Sequence, residues 1–114
     1  TLSNTNARTA GALVIFAKVS RMFFETVAAS QTAQIIGSRG AIGDFVHSVV
    51  ITSNTAATAT VTLLDGAVEI PLLVGSATTP LGVFTVILDA ASTTGPWKVT
   101  TGAGATVVVT GLFS

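Results

Sequence analysis

The stretch Asp44-Phe45-Val46-His47-Ser48-Val49-Val50-Ile51-Thr52 leads, after the break Ser53-Asn54-Thr55, into a second run that ends Leu63-Leu64-Asp65-Gly66-Ala67-Val68. Both runs alternate with a period of two. Phe45, His47, Val49 and Ile51 fall on one face of a strand, with Val46, Ser48, Val50 and Thr52 on the other. Ala57, Ala59, Val61 and Leu63 alternate with Thr58, Thr60 and Thr62, which gives an apolar face and a hydroxyl face. Asp65-Gly66 between two β runs predicts a two-residue hairpin loop, because a type I′ turn needs positive φ at both central positions.

Outward from this pair the pattern continues. Val68–Val74 is the returning strand, and Pro71 inside it cannot donate to a ladder, so this strand is expected at an edge or with a bulge. Leu81–Leu88, Pro96–Thr101 and Thr106–Phe113 read as further strands, the last two separated by a Gly102-Ala103-Gly104 hairpin turn. Short β-branched runs broken every eight to twelve residues by Gly, Asn and Ser are the mark of an all-β sandwich or barrel. Upstream, residues 1–10 are polar and uncapped and predict an extended N-terminal arm, with one β-sandwich domain over 11–114. Gly11–Val27 is read weakly as strand.

Composition narrows the function classes. Ten of the 114 residues carry a formal charge, 49% are apolar and none is Cys, against a usual charged share of about a quarter. So little charge on so apolar a chain points to a subunit packed among neighbours. Net charge zero leaves no basic footprint for nucleic acid. No run reaches the ~18–20 apolar residues of a spanning helix, so no membrane partner is expected. Thr1–Asn6 lacks the basic and apolar regions of a signal peptide and reads as the start of a cytoplasmic product. The charge is lopsided: Arg8, Lys18, Arg21 and Arg39 stand against Glu25, whereas Lys98 stands alone against Asp44, Asp65, Glu69 and Asp89. Opposite ends of opposite sign favour association with further copies or with a charged partner. The expected interface residues are therefore Arg8, Arg21, Phe23, Phe24, Arg39 and Pro71.

No catalytic constellation is expected. His47 is the sole histidine, and Asp44 and Ser48 should face away from it across the strand, which forbids a triad. Asp44, Glu69 and Asp89 are the acids that loops could gather as calcium ligands, but no Asp-rich ligand loop accompanies them, and neither metal nor cofactor is predicted. Gly102-Ala103-Gly104-Ala105 lacks the Lys-Ser/Thr and the following helix of a phosphate loop. Trp97 is either a core anchor or a sugar-stacking platform, and no small-molecule substrate is implied.

Gly43-Asp44-Phe45-Val46-His47-Ser48-Val49-Val50, then Val61–Gly66, then Thr94-Gly95-Pro96-Trp97-Lys98-Val99-Thr100-Thr101-Gly102-Ala103, taken in this order, resemble small β-rich virion proteins of tailed bacteriophages. The resemblance covers roughly residues 42–114. It implies a jelly-roll-like, homo-oligomeric capsid cement or decoration protein, made in the host cytoplasm and bound to the major capsid protein of the virion, with no catalytic role. A head–tail joining or tail-associated protein is the next expectation, and a carbohydrate-binding attachment module the one after.

Overall fold

A computed structural model describes residues 22–114. Eight strands run in the order β1 (Phe23–Val27), β2 (Gln34–Ile35), β3 (Phe45–Ser53), β4 (Val61–Asp65), β5 (Val68–Leu73), β6 (Gly82–Ala91), β7 (Trp97–Thr101) and β8 (Ala105–Leu112). They form two antiparallel four-stranded sheets, ordered β1-β8-β3-β6 (sheet A) and β2-β7-β4-β5 (sheet B). The fold is all-β and β-sandwich-like. Val46, Val49, Ile51, Val107 and Val109 of sheet A share one core with Val61, Leu63, Trp97 and Val99 of sheet B. Among the described residues the helical content is one 3-10 turn, Ala56–Thr58, and no helix is long and apolar enough to cross a membrane. The expected arm and residues 11–21 lie outside the described residues.

Three local expectations shift, each for a physical reason. First, β3 does not alternate cleanly. Its register slips between Val46 and Ser48 against both neighbours, so Val46 and Val49 both point into the core. The bulge breaks the face predicted to carry Phe45, His47, Val49 and Ile51 together: the first two face outward and the last two inward.

Second, the β4–β5 hairpin pairs Asp65 with Val68, so its loop is Gly66-Ala67 rather than Asp65-Gly66. The positive φ falls on Gly66 alone (63°). Asp65 is held back because its carboxylate is buried and occupied.

Third, the 102–104 turn joins β7 in one sheet to β8 in the other and is a corner rather than a hairpin. Gly104 donates to the Thr58 carbonyl (3.0 Å) and accepts from Asn54 N–H (2.7 Å). A Cβ at Gly104 would run into the Thr55 carbonyl.

Pro71 sits where its chemistry allows. β5 is the edge of sheet B, and its pairing with β4 slips between Thr62–Pro71 and Val61–Leu73.

Candidate functional site

Three of the chain's five carboxylates serve the interior. Asp65 is buried, and the loop after β6 wraps it. The backbone N–H groups of Thr93, Thr94 and Gly95 donate at 3.0, 3.0 and 3.4 Å, and the Thr93 hydroxyl at 2.9 Å. Burial pushes this carboxyl upward, but the hydrogen bonds from the Thr94, Thr93 and Gly95 groups outweigh burial and hold its pKa at about 2. Buried Asp44 accepts from Ala41 N–H (3.1 Å), Ser114 N–H (3.1 Å) and the Ser114 hydroxyl (2.8 Å), which ties the end of the chain to the start of β3. Half-buried Glu25 accepts from Gly37 N–H (3.1 Å) and the Gln34 amide (3.3 Å). Each is an acceptor for amides that the loops would otherwise leave unpaired. The outer surface is therefore poorer in charge than composition alone implies. Glu69 and Asp89 are the acids left to it.

The bulge in β3 creates the most distinctive surface feature. Opposite it, β6 carries an irregularity of its own, where Asp89 takes the left-handed conformation (φ 48°). The two distortions aim His47 and Asp89 at each other on the outer face of sheet A. His47 Nδ1 lies 2.5 Å from Asp89 Oδ1. Around the pair is an open hollow of about 620 Å³ with Met22, Phe45, Ala91 and Leu112 in its lining. Register explains the row. Leu112 pairs with Phe45 and Phe45 with Ala91, while Met22 directly precedes the Phe23–Gly111 pair. One apolar band thus crosses all four strands of sheet A. Phe24, 72% exposed, extends it onto the β1 edge, whereas Phe23, 60% exposed, shares the face of Glu25 and buried Val27; both line a second cleft with Phe113 and Ser38.

The hollow offers a histidine–carboxylate pair but no hydroxyl, thiol or amine in its lining for that pair to activate. Ser48 is buried outside the lining, its hydroxyl hydrogen-bonded to the Thr110 hydroxyl rather than to His47. The partner of His47 is Asp89, 42 residues distant, and the irregularities in β3 and β6 bring the two together. Asp44, Glu69 and Asp89 do not gather as calcium ligands, since Asp44 is occupied at the chain end and Asp89 at His47. Among the described residues no three His, Asp or Glu side chains cluster to hold a metal. Trp97 is 2% exposed, and its indole N–H donates to the Asp44 carbonyl at 2.7 Å. It anchors the core and presents no ring face to a glycan.

Of the residues expected at an interface, Phe23 and Phe24 lie together on β1, Arg39 is exposed in the loop after β2, and Pro71 is exposed on the far edge of sheet B. Arg8 and Arg21 lie outside the described residues. His47, Asp89 and Leu112 were not among those expected. Their signal exists in the sequence only as a lone His between two strand faces. No family model, curated protein or solved structure matches this chain.

Proposed function

We propose that this chain is a non-enzymatic structural subunit of a virion, a cement or decoration protein that binds where major capsid subunits meet and strengthens the shell. The observation that carries the reading is the apolar band over the outer face of sheet A, continued by Phe24, on a surface whose acids are mostly turned inward. Such a face gains from being covered and loses little charge solvation in the process. The affinity comes from repetition, since many weak contacts on one shell act together.

The strand pairing supports a jelly-roll reading of the fold. β1 pairs β8, β2 pairs β7, β3 pairs β6 and β4 pairs β5, with β3–β8 and β4–β7 closing each sheet. That order is what results when a four-pair ladder is rolled into two sheets, an architecture used by capsid proteins and also by lectins and cupins. Fold alone does not choose among these, and the neutral outer face favours protein contact.

The test is made on purified particles. Cement predicts the chain in fixed stoichiometry with the capsid subunit, and particles lacking it lose thermal and osmotic resistance. A handful of copies confined to the neck or tail, with shell resistance unchanged, overturns the reading in favour of a tail-associated part.

A further inference from the structure

Sheet edges expose unpaired N–H and C=O groups, and proteins normally blunt them. Among the described residues three of the four edges are blunted. β2 is two residues long, β1 is five, and β5 carries Pro71, Glu69 and a bulge. β6 is different. It runs ten residues without Pro, Lys or Arg. Its one charge, Asp89, sits near its end against His47. Its irregular positions, Gly82 and Asp89, leave Val83–Ile87 in unbroken register with β3.

The side chains repeat the message. Val83 and Ile87 are 66% and 59% exposed on the outer face. On the inner face Phe84, Val86 and Leu88 pack against the core yet remain half-buried, as do Ile70 and Leu72 on β5, the edge of the other sheet. The sandwich is open along this flank.

A row of edge N–H and C=O groups, otherwise hydrated, is matched in spacing by another strand. With one terminal charge, the edge has nothing by which to select a charged partner. It is, however, complementary to itself, because a twofold axis sets the N–H and C=O groups of one copy against the same groups of the next. We infer that β6 pairs antiparallel with β6 of a second copy about a twofold at Thr85, joining two four-stranded sheets into one of eight. This register sets Val83 opposite Ile87 and Phe84 opposite Val86 of the second copy, the β-branched and aromatic pairings that stabilise sheets. It also sets the two Asp89 carboxylates opposite Leu81, about 27 Å apart along the strands and beyond the screening length. A twofold at Val86 would instead press Asp89 onto Val83.

The pairing forms about eight backbone hydrogen bonds, within the usual range for an interface. A strip about 34 Å long on each copy buries about 1,000 Å² in total, near the lower limit for specific association. A dimer of micromolar affinity follows. It does not depend on the cement reading.

The chain has no Cys, so a single introduced thiol reports the axis. Full-length Thr85→Cys, oxidised in solution, should run as a disulfide-linked dimer, since residues facing each other across the axis have Cα atoms about 4.5–5.5 Å apart. Thr106→Cys, on central strand β8, should stay monomeric. By sedimentation from about 1 to about 300 µM, the natural chain should dimerise, and Val83→Lys with Ile87→Lys should weaken the dimer by at least about 30-fold while leaving the melting curve in place. A chain that stays monomeric throughout, or a dimer indifferent to both lysines, overturns the proposal. So does a Thr85→Cys thiol that bonds to a Cys placed at Ile15 in preference to its own copy, because the edge then belongs to the chain's N-terminal segment.

Discussion

Asp65 Oδ1 accepts the backbone N–H of Thr94 at 3.0 Å across 29 residues of chain, and with Thr93 and Gly95 this closes the loop between β6 and β7 around one carboxylate. Three successive amides aimed at one anion form a small nest. The folded pKa of about 2 lies below the ordinary value of 3.8. The carboxylate therefore contributes stability that is complete above the ordinary value and is lost as pH falls through about 2.

Asp65→Asn should remove that contribution. At pH 7 it should cost about 2–3 kcal/mol, because the amide turns a donor toward donors. Urea unfolding followed from pH 5 to pH 2 checks it: the natural chain should lose stability across this window more steeply than the variant. Parallel curves would assign the loop's stability elsewhere.

Trp97 is the sole tryptophan. Its emission should be blue-shifted in the folded protein and move red in one cooperative step on unfolding, with quenching by iodide seen only in the unfolded state. Trp97→Phe keeps most of the apolar volume and removes one of two donors to the Asp44 carbonyl, which still accepts the Ser92 N–H at 2.9 Å, so the cost should be about 0.5–1.5 kcal/mol. Trp97→Ala should cost about 3–5 kcal/mol.

Gly104→Ala adds one methyl at the corner between the sheets, directly against the Thr55 carbonyl. With backbone on both sides, neither partner can yield without shifting the 3-10 turn at Ala56–Thr58. A loss of about 2 kcal/mol or more in thermal or urea unfolding is expected. Ala103→Gly, at the exposed tip beside it, should lie within about 1 kcal/mol of the natural chain.

Phe24→Ser tests the apolar band without touching the core. Phe24 is 72% exposed, so the melting temperature should barely move, with a change of about 0.5 kcal/mol or less. Co-sedimentation with capsid shells should fall clearly. Retention equal to that of the natural chain would separate this part of the band from shell binding.

The runs read at 45–52, 57–63, 68–74, 81–88, 96–101 and 106–113 mark six of the eight strands, because alternation is set by neighbours a few residues apart. Pro71 likewise places its strand at an edge through its missing N–H. β2 escapes this reading because two residues carry no period. Gln34 and Ile35 become a strand only by pairing with β7.

The sequence by itself determined a β protein poor in surface charge, since hydropathy period, turn residues and composition are local properties. Tertiary structure alone decided which face each residue took and which partner it met. The extra residue in β3 turns His47 outward. The Thr93–Gly95 loop claims Asp65 from its turn, and the corner at 102–104 sends β8 to the opposite sheet. In each case the deciding contact lies tens of residues away, where a hydrogen-bond partner or a packed backbone overrides the local preference.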